Sequence, residues 1–396
     1  MNGPVFLIIL ARSLRAVADG VVSVAMPLHL LRLGHGPFEV GLLATATLLG
    51  SAALTLTVGW WSARLHMRSV LMAGCALMIA TGIAFASIDA LWFLLIAGAI
   101  GTLNPSIGDT SLFLPMEQAR LADLVPAENR TAIFARYSLF ATLAGAGGTL
   151  AAALPDRFGW PLAPMFLIYA VVGVGMAIIY ARLLLPAADR AIPTTVRAGL
   201  SPASRRPILI LSSLFCLDAL GGGFVLQSLL AIWLFDRFGL SVTQATQTLF
   251  VMTLLGGLSQ LAAPWVANRI GLVNTMVFTH LPANLFLLAA PFAPTIEIAL
   301  GLLFLRSALS SMDVAPRTAL VMSLVPPEER AAASSVTAVP RSLAAAAAPA
   351  IAGWLMAASP FGWFVVVGAG LKALYDVLLL IVGRRLARER GGTDFG

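Results

Sequence analysis

The sequence predicts an all-α integral membrane protein with twelve transmembrane helices in two pseudo-symmetric six-helix halves. Three observations predict it. Apolar residues make up 59% of the chain and charged residues 11%, against roughly 45–50% and 25% in soluble domains; mean hydropathy is +0.92. Apolar runs of about 20 residues, the length that crosses a bilayer, recur along the whole chain. The chain also repeats itself: Leu124-Val125-Pro126-Ala127-Glu128-Asn129-Arg130 returns 200 residues later as Leu324-Val325-Pro326-Pro327-Glu328-Glu329-Arg330. A second echo, at an offset of 205, sets Arg32, Trp60 and Arg64 against Arg237, Trp265 and Arg269. Two similar offsets of about half the chain indicate duplicated halves.

Taken in order, the predicted spans are 5–31, 38–61, 69–88, 91–114, 131–154, 161–184, 207–234, 241–266, 273–292, 296–322, 331–357 and 361–383. The first has no basic stretch before its apolar run and no convincing cleavage site, so it reads as a retained helix rather than a signal peptide. Short loops with turn chemistry separate the spans, such as Gly34-His35-Gly36-Pro37 after the first and Pro155-Asp156-Arg157-Phe158-Gly159 after the fifth. The longest polar stretch falls between the sixth and seventh. This divides the chain into an N-terminal half (1–185), a cytoplasmic linker (186–206) and a C-terminal half with a short basic tail (207–396).

Charge sets the orientation. The formal net charge is +7, and Lys372 is the only lysine among 25 basic residues. With both termini cytoplasmic, inner loops and tail hold about 15 basic residues, and the outer loops hold only Arg32, Arg157 and Arg237. The arginines therefore serve orientation, and a nucleic-acid partner is not expected. Membrane lipids are the expected surroundings of a monomer in a cell membrane, the bacterial inner membrane by this reading. The tail Arg384-Arg385-Leu386-Ala387-Arg388-Glu389-Arg390 reads first as an orientation anchor and second as an anionic-lipid site.

A charge inside the hydrocarbon costs at least about 2.5–3.5 kcal/mol on the insertion scale, so each one needs a reason. The first span carries Arg12, Arg15 and Asp19 on one face. The seventh carries Asp218, and the tenth carries Arg306, Asp313 and Arg317 on one stripe. The fourth has Asp109, then Glu117 and Arg120 near its inner end, and Arg341 lies mid-depth in the eleventh beside Pro340. One reading makes these structural pairs, Arg15 with Asp19 and Asp313 with Arg317. The other makes them substrate or proton groups, which their segregation to spans one, four, seven and ten favours. Lys372 and Asp376, four apart in the twelfth span, read as a pair satisfied by each other. Gly221-Gly222-Gly223 and Asn104-Pro105 mark helix breaks, which membranes tolerate where the freed backbone is buried or lines a cavity. For Gly145-Ala146-Gly147-Gly148, close helix packing is an equally good reading.

Several classes are disfavoured. Cys75 and Cys216 lie in separate apolar runs without a CxxC spacing, and His29, His35, His66 and His280 show no metal-ligand spacing. No nucleophile–base constellation is present, so an intramembrane enzyme is not expected. The absence of a GxxxxGK[ST] loop disfavours ATP coupling within the chain. Cofactors and resident metals are not expected.

The whole chain resembles the Major Facilitator Superfamily in its twelve spans, two halves and basic central loop. That family's motif Gly-x-x-x-Asp-Arg-x-Gly-Arg appears in degraded form between spans two and three. It reads Gly59-Trp60-Trp61-Ser62-Ala63-Arg64-Leu65-His66-Met67-Arg68, with Ala63 in the Asp position. The echo Asn268-Arg269-Ile270-Gly271 also lacks the Asp. The antiporter motif ending Gly-Pro-x-x-Gly-Gly is absent from the fifth span. Ser311-Met312-Asp313-Val314-Ala315-Pro316-Arg317 is similar to a stretch of bacterial permeases, some of them exporters, including for arsenite. The resemblance implies a central cavity lined by spans one, four, seven and ten, and a gated cytoplasmic mouth.

The expected function is secondary active transport of a small solute by alternating access, with protons as coupling ion and efflux of an anionic or polar molecule as direction and cargo. Half-chain repeats in apolar proteins place the substrate between them. Asp19 and Asp218 are the protonatable candidates, with Asp313 beside them. Arg15, Arg306 and Arg341 would hold the polar part of the substrate. Arg64, Arg68, Glu128, Arg130, Arg269, Glu328 and Arg330 would form the inner gate. The alternatives are a metalloid or drug exporter of the same fold, and a non-transporting receptor or scaffold.

Overall fold

A computed structural model describes residues 3–61, 66–104, 112–126, 129–183, 200–326 and 329–389. The described residues are almost wholly helical. In chain order the helices are α1 (Gly3–Arg32), α2 (Pro37–Trp61), α3 (Met67–Ser87), α4 (Leu91–Ile100), α5 (Phe113–Leu124), α6 (Arg130–Ala151), α7 (Leu154–Phe158) and α8 (Phe166–Leu183). They continue with α9 (Pro202–Phe224), α10 (Gln227–Phe238), α11 (Val242–Ile270), α12 (Leu272–Ala289), α13 (Ile296–Leu309), α14 (Val314–Ser323), α15 (Arg330–Ala358) and α16 (Trp363–Glu389).

Ten helical stretches among the described residues are long and apolar enough to cross a membrane. The surface agrees with that use. Trp92 is 74% and Val171 69% exposed, whereas Arg15 is 2% and Asp376 0% exposed. A soluble protein distributes these residue types the other way round.

The chain forms two compact units. The first comprises Met1–Thr194 and Leu226–Phe250. Within it, α1 packs along α6 and α3 along α8. Glycine permits both approaches. A Cβ on Gly148 would stand 2.1 Å from the Val17 carbonyl oxygen, and one on Gly20 would stand 2.1 Å from that of Gly145. Close packing is therefore what the Gly145–Gly148 cluster provides.

The second unit comprises Thr195–Val225 and Val251–Gly396. Here α9 packs along α15 and α12 along α16. A Cβ on Gly223 would stand 2.2 Å from the Ala345 carbonyl oxygen. In each unit, taken by itself, helices 125 to 130 residues apart in their starts are thus joined through a glycine against a carbonyl. An apolar cluster including Ile208, Leu211, Phe215, Met276, Val277, Tyr375 and Leu379 fills the space among α9, α12 and α16.

Three predicted spans are not continuous helices. The seventh breaks at Val225–Leu226, between α9 and α10, just after its glycine run. Glycine has poor helix propensity, and Gly223 is pressed against α15. The fourth ends as α4 at Ile100, with α5 beginning at Phe113; the residue preceding a proline, here Asn104, is disfavoured in the helical region. The tenth breaks between α13 and α14, where Ser310–Asp313 form turns. Pro316 has no N–H to offer the Met312 carbonyl, so the helical ladder is interrupted there.

Candidate functional site: two buried charge networks

In the first unit, the inward face of α1 carries Arg12, Arg15 and Asp19, all buried. The expected Arg15–Asp19 pair does not form. The Arg15 Nη2 instead donates to the Glu117 Oε2 at 3.1 Å, across to α5. Glu117 wins because its carboxylate is already fixed: the Tyr137 hydroxyl on α6 and the Tyr180 hydroxyl on α8 both donate to it. One buried carboxylate thereby joins α1, α5, α6 and α8. Aromatic faces complete the shell, with Arg15 4.8 Å above the Phe113 ring and Arg12 5.9 Å from that of Tyr137.

This arrangement leaves polar capacity unused. Arg15 Nε and Nη1 and Asp19 Oδ1 are buried and make no hydrogen bond among the described residues. Asp19 lies beside Tyr169, whose own hydroxyl donates to the Thr102 carbonyl at 2.5 Å. A donor and an acceptor one helical turn apart, both desolvated and both incomplete, are suited to a polar guest that has complementary groups.

In the second unit, Asp218 on α9 receives Lys372 Nζ at 2.5 Å and Arg317 Nη1 at 3.4 Å. Arg317 also bonds Asp313 at 2.5 Å, as the spacing of four predicted. The expected Lys372–Asp376 pair is not made. Lys372 reaches across from α16 to Asp218, while Asp376 bonds His280 Nδ1 at 2.8 Å and Asn284 Nδ2 at 2.7 Å on α12. His280 Nε2 lies 3.9 Å from Asp218 Oδ1, and the Tyr375 ring stands edge-on to the imidazole at 6.1 Å.

Glu117, His280, Lys372 and Asp376 were noted in the sequence but not placed among the candidate substrate, proton or gate groups. One compositional signal points to these networks: the chain has four tyrosines, and Tyr137, Tyr169, Tyr180 and Tyr375 are all buried within them. Membrane proteins ordinarily concentrate tyrosine at the bilayer interfaces.

Other predicted residues are placed apart. The Arg306 Nε on α13 is buried without a hydrogen-bond partner among the described residues. Arg341, half-buried on α15, acts electrostatically on the Cys216 thiol. Of the gate residues, Arg64, Glu128 and Glu328 lie outside the described residues, and Arg130 opens α6. Arg68 is half-buried on α3, Arg330 is exposed at the start of α15, and Arg269 stacks 4.0 Å over the Trp265 ring.

Glu329, the N-cap residue of α15, is an acid of that loop that the sequence reading passed over. Hydrogen bonding from Ser204, with Ser201 beside it, holds its carboxyl below the usual glutamate value. Ser201 is the N-cap of α9 and also accepts from the Ser204 N–H. A depressed folded-state value means that this contact stabilises above the unfolded value and is lost as pH falls through the folded one. Ser204→Ala is expected to return the Glu329 titration toward normal in carboxyl NMR and to remove that acid-side stability loss from melting curves. An unchanged Glu329 titration would show that Ser204 does not hold it.

An apolar exterior around buried ionic groups defines a multi-pass membrane protein. The chain belongs to the Major Facilitator Superfamily, whose family model matches residues 8–305. Among curated proteins it is similar to the uncharacterized membrane protein YJR124C of Saccharomyces cerevisiae, 24% identical over 93% of this chain and 91% of that protein. Among solved structures it resembles the nucleoside transporter NupG (TM-score 0.72, 13% identity, 96% of this chain and 99% of that one). It also resembles a bacterial homologue of the iron transporter ferroportin in its inward-facing state (TM-score 0.72, 17% identity, 96% and 98%). A bacterial homologue of the lysosomal transporter Spinster is similar at TM-score 0.70, 14% identity and 96% of both chains. These likenesses show the fold.

Proposed function

We propose that the protein is a proton-coupled secondary transporter that exports a small anionic or polar solute by alternating access. The observation that carries this reading is the incomplete satisfaction of Arg15 and Asp19. A purely structural pair would close on itself, because unpaired polar atoms in hydrocarbon are costly. Here Arg15 keeps two nitrogens, and Asp19 one oxygen, for something else. Arg15 holds the polar or anionic part of the solute, and Asp19 exchanges the proton. In the second unit Arg306 and Arg341 are the anion contacts, and Asp218 is the further protonatable group, with Asp313 after it. The paired loops around Glu128, Arg130, Glu328 and Arg330, with Arg64, Arg68 and Arg269, gate the cytoplasmic side. Both termini are cytoplasmic, and the membrane is the cell membrane, the inner membrane of a bacterium.

The test begins with a thermal-shift screen of the purified protein against organic anions, nucleosides and metal oxyanions. Hits are then assayed for flux in proteoliposomes under an imposed pH gradient. Asp19→Asn is expected to bind the same solutes and exchange them, yet lose pH-driven accumulation. Wild-type accumulation in Asp19→Asn would remove the proton from this site. Absence of flux for every hit would leave a receptor or scaffold of the same fold.

A further inference from the structure

The charge count of the second unit's network closes only with an added proton. Its acids are Asp218, Asp313 and Asp376, and its permanent cations are Arg317 and Lys372. Both cations are spent on Asp218 and Asp313. Asp376 is fully buried and receives neither; its partners are His280 and the neutral amide of Asn284. An ionised carboxylate in that position requires a positive partner, and among the described residues that bond it the imidazole is the group able to supply one. His280 presents one ring nitrogen to Asp376 on α16 and the other to Asp218 on α9.

We propose that the His280–Asp376 pair is a proton-binding site, and that its proton decides which carboxylate Lys372 holds. With the proton bound, Asp376 is neutralised by His280 and Lys372 is free to tie α16 to Asp218. Loss of the proton leaves Asp376 uncompensated. Lys372 lies four residues before it on the same helix, within reach of an i,i+4 pair. The lysine then turns to Asp376, and Asp218 keeps only Arg317, so the tie between α9 and α16 opens. The pair that local spacing predicts and the pair the structure shows are thus two positions of one ammonium group, selected by protonation.

The neighbouring groups are compatible with this exchange. On α9 the charged neighbour is Asp218, and on α14 it is Arg317, which with Asp313 forms a bridge of its own. On α12 Asn284 supports Asp376, while on α16 Tyr375 packs its ring edge against the imidazole. The unit's other cations named above lie elsewhere on the fold, Arg306 on α13 and Arg341 on α15, where it acts on the Cys216 thiol.

This inference builds on the proton-coupled reading but is tested without any solute. The full chain, labelled with 13C,15N-histidine and 15N-lysine, is placed in lipid nanodiscs and titrated by NMR from about pH 5 to 9, the range in which an imidazole changes charge. The four histidines are assigned by single replacement, His280→Gln included, and Lys372 is the only lysine side chain. The expected result is one step shared by the His280 ring nitrogens and the Lys372 Nζ, with proton binding weakened at least about tenfold, or about one pH unit, in Asp376→Asn. A His280 signal that keeps one protonation state throughout, or a Lys372 signal indifferent to the His280 step, overturns the proposal in wild-type protein alone. An unchanged midpoint in a folded Asp376→Asn does the same. Failure of pH-driven flux with this titration intact would sink only the transport reading.

Discussion

Replacing Glu117 by alanine is expected to destabilise the first unit by about 3–5 kcal/mol, the cost of leaving a buried charge without its partner. The side chain of Glu117 is nearly inaccessible, and its carboxylate is the convergence point for Arg15, Tyr137 and Tyr180. Its loss strands one guanidinium and two hydroxyls together, each already desolvated. Glu117→Gln keeps an acceptor oxygen for one hydroxyl but withdraws the charge, so an intermediate loss is expected. The double variant Glu117→Ala/Arg15→Met should recover stability relative to Glu117→Ala, since removing both charges of a buried pair costs less than removing one. Melting temperature and monodispersity in detergent are the measurements. A Glu117→Ala protein as stable as wild type would mean that the carboxylate does not hold these helices together.

The second large effect is steric. Gly148→Leu would drive a side chain into the Val17 carbonyl, since even a Cβ stands 2.1 Å from that oxygen. Backbone cannot yield as a flexible side chain can. A loss at or above the usual overpacking range of about 1–3 kcal/mol is expected. Gly147 is the control: nothing lies within 4 Å of its Cβ position, and Gly147→Leu should change the melting temperature little. Gly223→Leu should behave in the second unit as Gly148→Leu does in the first, because its Cβ would stand 2.2 Å from the Ala345 carbonyl. Equal stability of Gly148→Leu and Gly147→Leu would end the argument for contact between α1 and α6 at this position.

The membrane class and ten of the predicted spans were legible because apolar runs of bilayer length leave few alternatives. Of the helix breaks, those of the seventh and fourth spans were marked by Gly221-Gly222-Gly223 and Asn104-Pro105, and that of the tenth was not. Leu209 to Leu234 is apolar on both sides of Val225–Leu226, so hydropathy runs through the break, and only the glycine run hinted at it. At Ser310–Asp313 the predicted span 296–322 runs straight through the break, although Pro316 stands just after it. Charged residues announced themselves, yet their partners did not. Local spacing was right for Asp313 and Arg317, which bond at 2.5 Å. It was wrong for Arg15 and Lys372, because Glu117 and Asp218 on other helices offered better-anchored carboxylates. An i,i+4 rule ranks neighbours on one helix; it is blind to competitors 102 and 154 residues away in sequence. The gate residues stand where the sequence left them, as a proposal, with Glu329 added by its hydrogen bonds to the start of α9.

Lys372 has a chemical meaning beyond its ion pair. A chain with a single lysine offers amine-reactive reagents one side-chain target, and that target is enclosed between α9 and α16 with its nitrogen on Asp218. Acylation needs both access and a free amine, and the closed network withholds both. The protein therefore carries its own reporter. Each opening of this helix pair exposes one nucleophile at a known position, and a mass increase at Lys372 counts those openings without an engineered label.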